Sequence, residues 1–494
     1  MKHRNKYALL LLAALFLTAC GEKTPAGSAT DTAPSAQDTA APTTEAATEN
    51  PRAPYADMAP HVEDFNGYNF RVFVADSTQY DSDEETGEIV NDAIFKRNLA
   101  VEEAYNVTIS TYSDFDRNND RAQAMQSIQA GDDFADVIGL FLIRNSMICA
   151  QEGALLDWNQ FSDIRLDAPW WDHRISDLSV YGKQYVLAGH IGTMDDLRQM
   201  VAIYNKTIWN ELDYEDPYAM VWEGRWTLDK MYELSKGVAR DLDGDGKMTV
   251  ADRYGILTEA KAAWYFFLGS GQKSIIYQDG AYKSDLSNEN SITFMSRVID
   301  IMSDMQNIIV INDGRHDREL TTSTVWTEAS KIFLEGRALF DTGTFSATGN
   351  MRNMDQDYGI LPLPKLTEDQ KEYYCMTNDD IYALSMPTTV SDPERAALIT
   401  EALAYESMFT LQPTFYEIYL SEKLLRDEQS RQMMDLVLAS KFFDMDFCFG
   451  DITGMASAME SMTRSKKNKV TSQVASLEKK AQKKIDKFLN ALQD

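Results

Sequence analysis

The chain has 494 residues, with 77 acidic against 47 basic side chains and a formal net charge of -30 at pH 7. A body of that sign repels nucleic acid and anionic lipid as a whole, and its length exceeds what one hydrophobic core commonly supports, so two domains are expected. None of its four cysteines forms a CxxC pair, which excludes the commonest thiol-based zinc and redox motifs.

Lys2, Arg4 and Lys6 precede a short apolar run, Ala8 to Leu17. That run is too short to span a bilayer comfortably, so residues 1–19 read as an export signal. It ends in Leu17-Thr18-Ala19-Cys20-Gly21, which resembles the lipobox of bacterial lipoproteins. The resemblance implies a diacylglycerol, with acyl chains such as palmitate, on the Cys20 thiol. It also implies a chain held at the extracytoplasmic face of the cell membrane. Residues 20–60 are dominated by Ala, Thr, Ser and Pro, with no large apolar side chain before Tyr55. They are expected to be a disordered linker, about 35 residues long with a reach of about 30–35 Å.

The body begins with YNFRVFVA over 68–75, an alternating aromatic and β-branched strand pattern. Val90, Ile94, Val101 and Tyr105 recur at helical spacing, VTISTY over 107–112 reads as a second strand, and another helical stretch ends at Gly131-Asp132-Asp133. ADVIGLF over 135–141 reads as a buried third strand. Alternating strands and helices predict parallel pairing, and parallel sheets open their crevice at the carboxyl ends of the strands. Attention therefore falls on the residues just past 141. Thr227 is placed to cap a helix, LDKMYELSKGVAR, that runs into an acidic loop. Residues 394–441 read mostly as helices. The last stretch repeats Val470, Val474, Leu477, Ala481, Ile485, Phe488 and Leu492 on one face, opposite Lys479, Lys480, Lys483, Lys484 and Lys487. A docked amphipathic helix with a solvated lysine face is favoured there over a helix lying in a membrane surface. Cys149, Cys375 and Cys448 are expected as buried thiols, or as one bridge and one thiol. The histidines of the mature chain are expected to be structural or at the surface.

The acidic loop, DLDGDGKMTVAD over 241–252, follows the ligand order of an EF-hand. Asp241, Asp243 and Asp245 fall at positions one, three and five, and Gly246 at the sharp turn. Lys247 offers its carbonyl, Thr249 falls at nine and Asp252 at twelve. Asp replaces the usual Glu at twelve, which shortens the reach to the ion. A structural Ca2+ is expected. A single loop with no second hand argues against a sensor.

Several stretches taken together are similar to extracellular solute-binding lipoproteins of bacterial carbohydrate ABC transporters. They are ETGEIVNDAIFKRNLAVEEAYNV, SIQAGDDFADVI, APWWD, GRWTLDK, DLDGDGKMTVADRYG, YGILPLPK and FYEIYLSEKLLRDEQS. The resemblance implies an α/β, two-lobed, periplasmic-binding-protein-like fold of type II with the ligand between the lobes. Carried onto this chain, it puts 61–195 and 342–388 in the first lobe, and 196–341 and 389–494 in the second. Crossings are then expected near Gly192–Asp196, Asp341–Phe345 and Tyr382–Pro387. It also implies permease subunits as partners, a monomer and no enzymatic activity.

A sugar needs flat rings for its C–H faces and Asp, Asn or Arg for its hydroxyl rim. The candidates are Phe141, Arg144 and Asn145 after the third strand, Trp170 and Trp171 in APWWD, and Asp195, Asp196 and Arg198 at the first crossing. Trp264, Phe345, Asp379 and Asp380 complete the set. Adjacent tryptophans point in different directions on most backbones, so at least one of Trp170 and Trp171 is expected in the core. A secreted carbohydrate hydrolase and a surface adhesion or scaffold lipoprotein are the alternatives. No G-x-S-x-G, HExxH or phosphate-binding loop supports the first of them.

Overall fold

A computed structural model describes residues 50–112, 118–315, 324–352 and 354–493. The export segment, Cys20, most of the linker and His316 lie outside the described residues. Residues 51–60, which composition assigns to the linker, belong to the body instead. Ala53–Met58 form a 3-10 turn, and Tyr55 and Met58 pack on the first core. The Arg52 guanidinium donates to both carboxylate oxygens of Glu406 at 2.5 and 2.7 Å and sits 4.6 Å from the Phe409 ring centroid. One bidentate ion pair over an aromatic ring offsets chain entropy that average composition ignores.

The first lobe follows the alternation read from the sequence: β1 (Tyr68–Val74), α1 (Ile89–Tyr105), β2 (Val107–Tyr112), α2 (Asp120–Ala130), β3 (Val137–Leu140) and α3 (Ile143–Gln151). β1 lies between β2 and β3 and is parallel to both, with Tyr68 opposite Val107 and Val72 opposite Val137. Period-two alternation sends Phe70, Val72 and Val74 to one core and Phe73 to the other. Glu88 caps α1 through the Val90 and Asn91 N–H groups, and Asn106 ends it in the left-handed region.

The chain leaves through a short helix, α4 (Met194–Leu197). The second lobe then forms β4 (Met200–Asn205), α5 (Leu228–Ser235), β5 (Tyr254–Thr258), α6 (Ala262–Leu268), a hairpin of β6 (Ile275–Gln278) and β7 (Ala281–Ser284), β8 (Ile308–Val310), β9 (Ala338–Thr344) and β10 (Tyr358–Pro362). Its five-stranded sheet runs β10-β4-β9-β5-β8. The chain returns through β11 (Cys375–Met376) to β12 (Ala383–Ser385), antiparallel to β3, and the first sheet becomes β12-β3-β1-β2. α7 (Pro393–Ser407), β13 (Lys441–Phe442) and α8 (Val470–Asn490) complete the body. Thr227 caps α5 by accepting from the Lys230 N–H at 3.2 Å, but the helix stops at Ser235, short of the acidic loop and just before Gly237.

The lobe boundaries differ from the expected ones in two places. There is no crossing at Asp341–Phe345: β9 is antiparallel to β4 and parallel to β5, and β10 pairs with β4. Residues 342–362 therefore belong to the second lobe, whose apolar strand YGILP is buried throughout. α7, expected in the second lobe, packs Ala396 to Tyr405 into the first core. The C-terminal helix α8 docks as expected. Its first half (Val470, Val474, Ala481) enters the second-lobe core, and Ile485 and Leu489 enter a core shared with the first sheet. Cys149, Cys375 and Cys448 are all buried free thiols, and burial pushes Cys149 and Cys375 up to about 12.

Candidate functional site at the carboxyl ends of the two sheets

Parallel strands aim their carboxyl ends, and the loops after them, to one side of a sheet. Here β3 delivers Arg144, β5 delivers Lys261 and β9 delivers Ser346. The loop between β11 and β12 supplies Asp379 and Asp380. Arg144 from the first lobe lies 3.8 Å from one Asp379 oxygen, and Lys261 from the second lies 3.3 Å from the other. Asp379 is 4% exposed, so both cations meet a buried carboxylate. Beside it Arg198 lies 3.3 Å from Asp380 and donates to Ser346 Oγ at 2.7 Å. Burial raises the Asp380 pKa, with Arg198 opposing. Lys261 also lies 4.4 Å from the Phe447 ring centroid. Arg144, Arg198 and Asp380 keep 45, 25 and 24% of their side-chain surface exposed, so these groups remain open to a guest. Deeper, burial pushes Glu259, just past β5, and Asp341, in the middle of β9, up to about 7.

Four of the aromatic candidates are not at this gap. Trp170 and Trp171 are both in the first core, and their indole N–H groups donate to opposite oxygens of Glu401 on α7 at 2.9 and 2.8 Å. Adjacent indoles reach one carboxylate because the backbone beside them is locked. A Cβ on Gly189 would stand 2.5 Å from the Trp170 carbonyl oxygen, and Gly189 has φ +147, a conformation that favours glycine. Trp264, beside Phe267 on α6, and Phe345 at the end of β9 are fully buried in the second core. Phe141 is half-buried with its ring 5.6 Å from that of Tyr382. Asn145 faces Asp120, donating from Nδ2 at 3.1 Å, and the Phe141 N–H donates to the same carboxylate at 2.5 Å.

Asp195 and Asp196 belong to a second cluster, at the hinge. Lys441 on β13 places its ammonium 2.6 Å from Asp172, 2.9 Å from Asp195 and 2.7 Å from Asp196. Burial alone lowers the lysine pKa, and the three carboxylates more than reverse that, holding it well above its usual value. Burial pushes Asp195 up to about 7 against the pull of Lys441. The same region joins the crossings by backbone: Gln199 bridges Thr377, and β11 pairs with β13.

Lys261, Lys441 and Glu401 were missed by sequence reasoning. Lys261 follows a parallel strand, as Arg144 does, and the same rule applied to YGILTEAK finds it. Tyr112, at the carboxyl end of β2 and 48% exposed, was open to that rule as well. Lys441 and Glu401 carry no local signal, because their partners lie more than 200 residues away.

In the acidic loop, Asp241, Asp243 and Asp252 each place a carboxylate oxygen within 4.8 Å of the others. Asp241 accepts from the Gly244 and Gly246 N–H groups at 2.6 and 2.8 Å, which lowers its pKa. Asp252 is buried and accepts from Leu242 and Thr249 at 2.8 and 2.7 Å. Asp245 instead accepts from the Lys247 N–H at 2.8 Å, and Thr249 Oγ1 donates to Asp252. The loop is closed at its base by reciprocal 3.0 Å bonds between the Arg240 and Arg253 backbones. The donor set is all oxygen, as a hard divalent cation requires.

No family model matches the chain, and no curated protein matches it. Solved structures do. A cyclo/maltodextrin-binding protein complexed with maltotetraose aligns with TM-score 0.57 and 14% identity over 84% of this chain and 97% of that one. An ABC substrate-binding protein from Listeria monocytogenes, in complex with cycloalternan, gives 0.53 and 13% over 84% and 98%. The maltose/maltodextrin-binding domain from Bdellovibrio bacteriovorus, bound to maltotriose, gives 0.52 and 14% over 84% and 99%. The likeness is one of fold: the chain has the two-lobed α/β architecture of these substrate-binding proteins.

Proposed function

We propose that the chain is the solute receptor of an ABC importer, and that it captures an oligosaccharide between its lobes without chemical change. The observation that carries this is the meeting of Arg144 and Lys261, from opposite lobes, on Asp379 in the crossing. A guest that takes over hydrogen bonds from these groups stabilises the closed form, because it touches both lobes at once. Planar guanidinium and carboxylate groups bind adjacent hydroxyls in pairs. The fold relatives hold maltotetraose, cycloalternan and maltotriose. In this reading the closed form is offered to permease subunits, and a lipid on Cys20 keeps the monomer at the extracytoplasmic membrane face.

Calorimetry with maltotetraose and a panel of mono- and oligosaccharides tests the reading. Arg144→Ala and Asp380→Asn are expected to weaken binding about tenfold or more, about 1.4 kcal/mol each, with unchanged melting midpoints. A chain that neither binds nor is thermally stabilised by any sugar of the panel is not this receptor.

The acidic loop is assigned a structural Ca2+ held by Asp241, Asp243 and Asp252, with Asp245, the Lys247 carbonyl and Thr249 completing the set. The ion would tie the segment after α5 to the start of β5 and take no part in solute binding. Melting with EDTA, then with Ca2+ or Mg2+ restored, checks it: the midpoint is expected to fall and to recover with Ca2+. No change on chelation removes the ion from the account.

A further inference from the structure

The exposed face of α8 stands apart from the rest of the molecule in charge. Residues 464–487 hold nine Lys and Arg and only two acids, in a chain of net charge -30. On α8 itself Lys479, Lys480, Lys483, Lys484 and Lys487 are all exposed. At 100° per residue they fall within a sector of about 140°, over about 12 Å of helix axis. Neither acid of the helix lies in that sector. Glu478 accepts from Ser284, and Asp486 accepts from Gln482. Among the described residues none of the five lysines makes an ion pair, whereas many other cations of the body do. The opposite face is occupied by Val470, Val474, Ala481, Ile485 and Leu489, packed in the cores. The helix therefore has no apolar stripe left to insert into a bilayer.

We propose that this lysine row is an electrostatic docking face for an anionic phospholipid surface, which it touches without penetrating. Charge complementarity selects the partner. Five uncompensated ammonium groups along one side of a single helix match a plane of fixed negative charge. The row itself is free of aromatic side chains for stacking on bases and of apolar ones for a peptide. Each lysine brought to such a surface tightens association roughly fivefold at low salt. The acidic remainder is repelled, so the contact also orients the body, with α8 toward the membrane. The contact is independent of sugar capture and of the lipid on Cys20.

The test uses the full chain carrying Cys20→Ser, so that no acyl group contributes. It is sedimented with vesicles of phosphatidylglycerol and phosphatidylcholine, or of phosphatidylcholine alone. Tenfold or greater preference for the anionic vesicles is expected. It should vanish at about 300 mM salt, where the Debye length is near 6 Å. It should also vanish when all five lysines are changed to Gln, a variant whose melting midpoint stays in place because these side chains hold no partner. Equal partitioning onto both vesicle types overturns the proposal. So does anionic binding that survives the five substitutions, or binding to heparin or nucleic acid with none to vesicles.

Discussion

Lys441 concentrates the most consequential electrostatics of the body in one side chain. It is 6% exposed and touches three carboxylates. Removing one partner of a buried ionic cluster leaves the others uncompensated, which costs about 3–5 kcal/mol. Lys441→Met is expected to lose stability of that order in urea unfolding at pH 7.5, and to regain part of it at pH 5. The sign follows from Asp195, whose folded pKa of about 7 lies above its unfolded value. The folded state then holds a proton that the unfolded state releases, so stability rises as pH falls through this window. Glu401 obeys the same rule. Burial pushes it up to about 7, against the indole donors of Trp171 and Trp170 and the Arg165 N–H. Its contribution is present below about pH 4.5 and declines as pH rises to 7. Glu401→Gln is expected to flatten that slope and to cost about 1–3 kcal/mol, since an amide cannot accept from both indoles and leaves one buried donor unpaired. At this scale burial separates the candidates. Trp170, Trp171, Trp264 and Phe345 look like sugar platforms in a list of residues, yet each fills a core. Arg144, Arg198, Asp379 and Asp380 do converge.

Among the elements, α5 and β5 meet where no side chain fits. A Cβ on Gly255 would stand 2.3 Å from the Ser235 carbonyl oxygen, so the strand passes directly over the helix end. Gly255→Ala forces the two backbones apart, and a loss of about 1–3 kcal/mol is expected in thermal or urea melting. The acidic loop starts from this junction, so chelation and Gly255→Ala should both loosen β5. Amide exchange of Ile256 and Leu257 is expected to speed up in either case. The local patterns behind these elements were readable. β1, β2, β3 and α1 appear close to where their periodicities placed them, because each buries a face at a period of 2.0 or 3.6. The helix at Thr227 was longer in expectation than in fact, since continuing apolar spacing does not reveal a backbone contact that ends it.

At the scale of the whole molecule, residues 194–199, residues 375–380 and β13 are joined to one another by hydrogen bonds. The Gln199 side chain donates from Nε2 to Thr377 Oγ1, the Asn378 N–H donates to the Arg198 carbonyl, and the Thr377 N–H donates to the Phe442 carbonyl. A hinge tied in this way is expected to confine motion to rotation of the two lobes as bodies. Sugar binding is expected to shrink the radius of gyration in small-angle scattering, and Arg144→Ala should raise the sugar concentration at which this happens. A radius unchanged at saturating ligand would remove closure from the mechanism.

Local pattern in the sequence carries the alternation of strands and helices, the parallel pairing of β1, β2 and β3, the spacing of the acidic loop and the amphipathic C-terminal helix. All of these are local, and periodicity or fixed offsets encode them. Long-range packing alone keeps β9 and β10 in the second lobe, brings α7 to the first, and joins residues 51–60 to the body. It alone brought Lys441 to Asp172 and Glu401 to two tryptophans. Those outcomes depend on contacts between residues hundreds of positions apart, where burial, register and charge pairing are settled by the packed whole and leave no trace in any short stretch of chain.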